Sequence, residues 1–369
     1  MRREIIGYQA VREAAKDFEN YSSDLLGDRD VRTYRQLPLE VDPPRHTVLR
    51  EAVQPLFLGA SIEPLKPKFR ELARKLIGDI RNQGAGEIGA DLALPFVIGC
   101  LTIIYNRPQD YDEWLSWGPD VWTAGSHQQE LAHPGEKIEH KRDGRILHDY
   151  LDRVFDQALA NPRPYADGGD VWDYLTELRV EGEALTRHEM QGIANVLLAG
   201  GRDTVIKLTT GLVWHLMANP SDREFLSENP QWFNRTVAEM VRYLTPLPKM
   251  ERVLAEDRVG SDTERDTDKY VLLSFVSANY DKSIWPDPER IDIHRERKPH
   301  LAFGFGRHSC MGMNITEHEA GAFLDVLLTE WPNWKFDGEP EIEWGEAQGA
   351  AGETIRFIDR FAALRVKVS

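Results

Sequence analysis

The chain has 369 residues, 61 of them acidic and 45 basic, so its formal net charge is −16 at pH 7. Because attraction to phosphates needs a basic face, this balance argues against general nucleic-acid binding. The two cysteines, Cys100 and Cys310, are too few for a disulfide framework, which favours a cytoplasmic protein.

Helical patterns dominate the sequence. In residues 63–81 the apolar positions are spaced three and four apart, as an amphipathic helix requires. The most apolar stretch, residues 96–105, is about half the length of a membrane-spanning helix, so no membrane insertion is expected. Cys100 lies within it and is expected to be a core residue. Residues 141–159 form a further predicted helix.

The predicted central helix begins at Thr186, where Thr-Arg-His-Glu has the form of a capping box with Glu189. No proline follows until Pro220, so this helix is predicted to run for about thirty residues, or ~45–50 Å, across the whole domain. Another helix is predicted between Pro230 and Pro246.

Strand patterns are few. One short strand is predicted in residues 270–275 and two more in residues 355–368, while residues 285–299 are rich in proline and charge and predict an irregular loop. No Gly/Ser-rich linker divides the chain. The expected fold is therefore mainly α with minor β, in one domain over residues 1–369.

The segment FGFGRHSCMG, residues 303–312, precedes a helical pattern that runs to Glu330. Its glycines allow the backbone to approach a flat cofactor closely. Backbone amides near the helix start would stabilise a Cys310 thiolate, and Phe303 would shield the sulfur from water. The alternative is a buried structural cysteine beside a glycine-rich turn.

This segment resembles the haem-ligand signature of the cytochrome P450 family. The residues at the family's usual positions are Phe303, Gly304, Gly306, His308, Cys310 and Gly312. The resemblance implies haem b with the Cys310 thiolate as the axial ligand of the iron. It also implies the cytochrome P450 fold, with a long central helix over the haem and small β-sheets.

Two further segments resemble family elements around the haem. Glu239 and Arg242 match its Glu-x-x-Arg motif, and Arg290 matches the third member of that structural triad. In VDPPRHTVLRE, Arg50 is four positions after His46, so the two share one helix face. With Arg252 and His308 they match the positions that the family directs at the haem propionates. The alternative for each is a solvated surface charge.

The central helix contains Gly-Gly-Arg-Asp-Thr, which resembles the family's oxygen-binding motif. Gly200 would make room for a ligand, and a bond from the Thr204 hydroxyl to a backbone carbonyl would open a groove for O₂ and water. Asp203 would relay protons from solvent. The alternative is a glycine kink with a solvent-facing arginine and aspartate.

The resemblance implies a monooxygenase that uses O₂ and two electrons from a ferredoxin and its reductase, because no flavin or iron–sulfur module is found in the chain. It would hydroxylate a small organic substrate or, next to an ether oxygen, O-dealkylate it. Two alternatives are a peroxide-dependent peroxygenase and a non-catalytic haem binder or sensor. The pair Asp203 and Thr204 argues against both, since neither needs a proton relay.

Two segments bear on the substrate, and their composition favours a small polar ring, such as a methylated sugar or a substituted aromatic. Their tryptophans and polar side chains are Arg29, Arg32, Arg35, Gln36, Trp114, Trp117, Trp122, His127, Gln128, Gln129 and His133. The alternative is that these side chains face solvent. The resemblance runs from about residue 4 to the C-terminus, so the chain is expected to lack the family's usual N-terminal helix and strand segment.

Overall fold

The computed structural model describes residues 3–25, 35–122, 142–254 and 270–368, which are mainly helical with small sheets, as predicted. The helices of these residues are α1 (Tyr8–Lys16), α2 (Arg45–Val53), α3 (Gly59–Ile62), α4 (Lys66–Gln83), α5 (Leu94–Ile104), α6 (Tyr111–Ser116), α7 (Pro119–Trp122), α8 (Arg142–Ala160), α9 (Val171–Glu177), α10 (Arg187–Gly200), α11 (Asp203–Ala218), α12 (Pro220–Glu228), α13 (Phe233–Leu244), α14 (Phe275–Asn279) and α15 (Met313–Thr329). None of them is both long and apolar enough to cross a bilayer.

The strands of the same residues are short. They are β1 (Arg3–Ile5), β2 (Tyr21–Ser22), β3 (Ala85–Glu87), β4 (Arg179–Val180), β5 (Glu183–Ala184), β6 (Lys249–Leu254), β7 (Tyr270–Ser274), β8 (Trp334–Phe336), β9 (Glu341–Gln348), β10 (Thr354–Ala363) and β11 (Arg365–Val368). They form a four-stranded sheet β1-β7-β6-β2, a three-stranded sheet β3-β11-β8, and the hairpins β9–β10 and β4–β5. The strands predicted in residues 270–275 and 355–368 are confirmed, and residues 285–299 form turns without helix or strand, as predicted.

The helices predicted in residues 63–81, in residues 141–159 and between Pro230 and Pro246 are confirmed as α4, α8 and α13. In α4 the apolar positions form one buried face that includes Phe69, Leu76 and Ile80, which explains why this stretch folds as a helix. The helix ends at Gly84, whose φ of 81° is favourable for glycine and whose N–H donates to the Ile80 carbonyl at 3.0 Å.

The central helix begins as predicted but is not continuous. The Thr186 hydroxyl accepts from the Glu189 N–H at 3.2 Å, and the Glu189 carboxylate accepts from the Thr186 N–H at 2.9 Å. The prediction of one helix of about thirty residues is wrong, because α10 ends at Gly200 and α11 begins at Asp203. The two glycines before Arg202 explain why the helix is weak at this point.

The core lies around α11, which packs against α5, α13 and α15, and around α10, which packs against α7 and α9. Cys100 is completely buried in α5, as predicted for a core residue. The loop of residues 301–312 enters α15 beside α1 and α2, and the strand β6 runs nearby in the four-stranded sheet. These elements hold the side chains that the sequence assigns to the site.

Candidate active site

The loop before α15 is held in a tight conformation by its own backbone. The Cys310 N–H donates to the Phe303 carbonyl at 2.8 Å, so the two ends of the loop lie side by side. Gly304 and Gly306 have φ values of 68° and 74°, which side chains rarely adopt. A Cβ at Gly306 would also lie 2.9 Å from the carbonyl oxygen of Ala15 in α1. The glycines at these two positions are therefore required by geometry.

The thiol of Cys310 lies at the start of α15. Cys310 is an exposed residue, yet enough protein surrounds its sulfur that desolvation raises the thiol pKa. The backbone N–H groups of Gly312 and Met313 and the charge of Arg50 act in the opposite direction and lower the thiol pKa. The start of α15 thus favours the thiolate, although desolvation outweighs this effect.

Groups that are or can become cationic converge beside this loop. The rings of His46 and His308 lie 4.2 Å apart between centroids, and Nη2 of Arg50 is 3.5 Å from the Ser309 hydroxyl. Arg252 is buried in β6, close enough for its charge to lower the pKa of His308. The four residues predicted to face the propionates are therefore neighbours, and the alternative of solvated surface charges is wrong for the buried His46 and Arg252.

Three nitrogens of the two histidine rings lack a hydrogen-bond partner. Both ring nitrogens of His46 and Nε2 of His308 have no hydrogen-bond partner, and the nearest Asp42 oxygen is 3.9 Å from that Nε2. Burial, followed by the charges of His308 and Arg50, lowers the pKa of His46 to about 4. Buried donors without acceptors and cations that repel one another need an anionic partner. They fit a cofactor that carries two carboxylates, as haem does.

The residues of the predicted oxygen-binding motif flank the break between α10 and α11. The Thr204 hydroxyl donates to the Gly200 carbonyl at 3.4 Å, which is the bond that the sequence motif predicts. Open space lies beside Gly200, where an added Cβ would meet no atom within 4 Å. The side chain of Asp203 is 57% exposed and pairs with Arg202, which is buried. The alternative that places both Arg202 and Asp203 in solvent is wrong for Arg202.

One member of the predicted structural triad is wrong. Arg242 in α13 donates from Nε and Nη2 to the Glu239 carboxylate, each at 2.8 Å. The third member is Arg295, whose Nε donates to Glu239 at 3.0 Å. Arg290 is exposed because a turn that closes on the Asp287 carbonyl directs its side chain outward, and its own carbonyl accepts from Arg242 and Arg295.

The tryptophans discussed for the substrate belong to the hydrophobic core. Trp114, Trp117 and Trp122 are at most 6% exposed and pack edge-on or tilted against each other and Tyr150. The alternative that they face solvent is wrong. Gln36 is buried and its amide donates to Asn195 in α10, and Arg35 pairs with Asp24 at 3.0 Å. The other residues named for the substrate, Arg29, Arg32, His127, Gln128, Gln129 and His133, lie outside the described residues.

Sequence reasoning missed two arginines. Arg295 was hidden by Arg290, five residues earlier in the same charged loop, and the second arginine in that loop was the signal available. Arg202 was considered only as a solvent-facing residue. Its position between Gly201 and Asp203 was visible, but its burial depends on Trp122 from another helix.

The chain is similar to known cytochromes P450. The family model for cytochrome P450 matches residues 231–341. The chain is 27% identical to cyclomarin C epoxidase CymV of Salinispora arenicola, over 94% of this chain and 87% of that protein. It is 27% identical to steroid C26-monooxygenase of Mycobacterium tuberculosis, over 91% of this chain and 88% of that protein. Among solved structures, a carbohydrate active P450 matches with a TM-score of 0.82 and 27% identity, over 98% of this chain and 91% of that one.

The helical fold, the cysteine at the start of α15 and the buried histidine and arginine side chains fit an enzyme that holds an anionic cofactor beside a thiol. Together with the matches, they support a bacterial-type cytochrome P450, a monooxygenase. The family implies a haem held through a cysteine thiolate.

Proposed function

We propose that this P450 O-demethylates a small polar substrate, with a methylated sugar as the first candidate. The observation that carries the substrate class is the similarity to a carbohydrate active P450 along 98% of this chain, with a TM-score of 0.82. The polar residues buried beside α10, Gln36 and Asn195, support a site bordered by hydrogen-bonding groups more than one lined by aliphatic side chains.

Cys310 is the proposed iron ligand, because it lies at the start of α15, where the backbone N–H groups of Gly312 and Met313 favour the thiolate. The unpartnered ring nitrogens of His46 and Nε2 of His308, together with Arg50 and Arg252, are the proposed partners of the propionates. Phe303, whose carbonyl accepts from the Cys310 N–H, is the proposed shield of the sulfur, and the open space beside Gly200 is proposed to admit the ligand. Gly312 is also proposed as a cofactor-binding residue, because a Cβ at this position would lie 3.7 Å from the Cys310 sulfur.

When bound, the haem supplies the activation of O₂ and the attack on a C–H bond of the substrate. The chain supplies protons and placement. The exposed Asp203 takes a proton from solvent and passes it to the groove beside Thr204, where the hydroxyl is held by the Gly200 carbonyl. For a methyl ether, O₂, two electrons and two protons yield a hemiacetal and water. The hemiacetal then releases formaldehyde and the free alcohol.

The electrons are proposed to come from a ferredoxin and its reductase, since no segment of the sequence resembles a flavin or iron–sulfur module. A cytoplasmic location is proposed from the two cysteines, Cys100 and Cys310, which are both free. A single domain is also proposed, because strands from both ends of the chain join shared sheets. β1 pairs with β7, and β11 pairs with β3.

The experiment is a substrate titration of the ferric holoenzyme, read as the change in iron spin state. Mono-O-methyl hexoses are expected to shift the spin state, and laurate is not. Methoxyphenols form a second arm that tests the aromatic alternative. With ferredoxin, reductase and O₂, formaldehyde should form together with the demethylated sugar. A spin shift by laurate alone would overturn the substrate class, and turnover by peroxide but not by O₂ would replace the monooxygenase mechanism with a peroxygenase one.

A further inference from the structure

The break in the central helix brings together two side chains that a regular helix would separate. Neighbouring residues on an α-helix point about 100° apart and do not face each other. At Arg202 the backbone has φ −97° and ψ −79°, outside regular helix geometry, and this residue precedes the first turn of α11. Nη1 of Arg202 donates to Oδ1 of Asp203, so the break permits an ion pair between consecutive residues.

The two partners of this pair differ in their surroundings. The Arg202 side chain is 7% exposed, whereas that of Asp203 is 57% exposed. The guanidinium carbon of Arg202 lies 5.5 Å from the centre of the Trp122 ring in α7, and Trp122 is itself buried. The three residues form an array that runs from the core to the surface, and we call it the Trp122–Arg202–Asp203 array.

A buried guanidinium loses its hydration, so other groups must stabilise its charge. Because Nε of Arg202 has no hydrogen-bond partner, the ring face of Trp122 and the carboxylate of Asp203 provide this stabilisation. An arginine held in this way has few other positions to adopt. The Asp203 carboxylate is therefore held by a fixed cation that lies immediately before its own helix, two residues before Thr204.

We propose that Arg202 and Trp122 are positioning residues that set where the Asp203 carboxylate rests, and that proton delivery at Thr204 depends on them. The inference rests on the proposed function, since it takes Asp203 to be the proton relay. The step concerned is a proton transfer alone: solvent protonates the carboxylate, its pairing with Arg202 weakens, and the proton passes on toward the Thr204 hydroxyl. Bulk water supplies the proton, and no other reactant is needed.

The array also links the relay to a second helix. Because Trp122 belongs to α7 and Arg202 to the central helix, a displacement of α7 would change the support of the guanidinium and then the position of the carboxylate. Trp122→Phe keeps an aromatic face but weakens it as a partner for a cation. A positioning role therefore predicts that the loss of product formed per O₂ consumed is smaller for Trp122→Phe than for Arg202→Leu.

The first test measures product formed per O₂ consumed in the holoenzyme, with ferredoxin and reductase, for Arg202→Leu, Arg202→Lys and Trp122→Phe. The expected loss is roughly tenfold for Arg202→Leu, below the roughly 10²–10⁴-fold contribution of a whole acid–base group because Asp203 itself remains, and smaller for the other two variants. Arg223→Leu is the matched control, since Arg223 stacks on Trp331 at 4.5 Å, and it should leave the ratio unchanged. Peroxide-driven turnover should stay within about twofold of wild type in all variants.

The second test needs no substrate. Arg202→Leu, Asp203→Asn and the double variant are compared in the urea midpoint of the ferric holoprotein. If Arg202 and Asp203 are paired, the shifts of the urea midpoint in their single variants should not add up to the shift in the double variant. The shifts for Arg223→Leu and Asp203→Asn should be additive. Additive shifts for Arg202 and Asp203 would overturn the array. Coupled shifts with an unchanged product ratio would also overturn the proposal, because the pair would then be structural only.

The two tests separate this inference from the proposed function. If no methylated sugar or methoxyphenol yields product in wild type, the substrate class is wrong, and the ratio is then measured as water formed against O₂ consumed with whichever substrate shifts the spin state. If Arg202→Leu does not hold haem, Arg202→Lys retains the charge and keeps the test decisive. A product ratio in Arg202→Lys and Trp122→Phe equal to wild type would contradict the proposal.

Discussion

The buried amine of Lys207 in α11 predicts that Lys207→Met stabilises the protein. Lys207 is 9% exposed, and its Nζ has no hydrogen-bond partner. The amine lies 6.0 Å from the centre of the Phe357 ring in β10. Burial lowers its pKa from 10.5 to about 8, against the opposing charge of Asp359. The folded state therefore holds this proton less well than the unfolded state does.

The lowered pKa determines the sign and the size of the effect. Below pH 8 the folded protein carries the full penalty of a buried charge, and the penalty disappears as the pH rises through 8 to 10.5. A fall from 10.5 to about 8, at about 1.4 kcal/mol per pH unit, corresponds to about 3 kcal/mol. Methionine removes the charge and keeps an unbranched apolar side chain, so Lys207→Met should raise the free energy of unfolding at pH 7 by about 2–3 kcal/mol.

Urea unfolding of the ferric holoprotein, followed by far-UV circular dichroism at pH 7 and pH 10, measures this gain. The expected gain is largest at pH 7 and shrinks by more than half at pH 10. Lys75→Met is the control, because Lys75 is 70% exposed and paired only with Asp79 on the same helix among the described contacts. It should change stability by less than about 0.5 kcal/mol. No gain for Lys207→Met at pH 7, or an equal gain at both pH values, would refute the reasoning.

Three further predictions test other parts of the structure. Arg295→Leu leaves the buried Glu239 carboxylate without one partner and should lower the free energy of unfolding by about 3–5 kcal/mol. Arg290→Leu should lower it by less than about 0.5 kcal/mol. Equal effects would contradict the triad of Glu239, Arg242 and Arg295. Burial raises the pKa of Glu319 to about 8, so the free energy of unfolding of wild type should fall as the pH rises from 4.5 to 8. Glu319→Gln should remove that pH dependence and raise the free energy of unfolding by about 3 kcal/mol at pH 7. A Glu319→Gln curve parallel to wild type would count against the buried acid. Gly306→Ala adds a Cβ at a φ of 74° and should cost about 1–3 kcal/mol and lower the haem content; a fully loaded, equally stable variant would show that the loop is not constrained.

Features that depend on the spacing of nearby residues could be predicted from the sequence. The amphipathic pattern predicted α4 and α8, and the capping box at Thr186 predicted the start of the central helix because both of its hydrogen bonds are made within four residues. The loop of residues 303–312 was also predictable, since its glycines and its cysteine act through backbone geometry at fixed spacing.

Features that depend on distant contacts were not predictable in this way. The need for glycine at position 201 depends on Leu101, whose Cδ2 would lie 2.8 Å from a Cβ at that position. The choice of Arg295 over Arg290 depends on how a loop without helix or strand turns back toward Glu239. The burial of Arg202 depends on Trp122 in another helix. In each case a side chain far away in the sequence decides the outcome, and no local pattern records it.

The spectrum of the reduced, CO-bound protein tests the central claim of a haem held by Cys310 most directly. Wild type is expected to show a Soret band shifted strongly to the red, which reports a thiolate trans to CO. Cys310→Ser should retain a folded, helical protein and lose that band, while Cys100→Ser should leave it unchanged because Cys100 is buried in the core of α5. A red-shifted band that survives in Cys310→Ser, or its absence in haem-loaded wild type, would contradict the account.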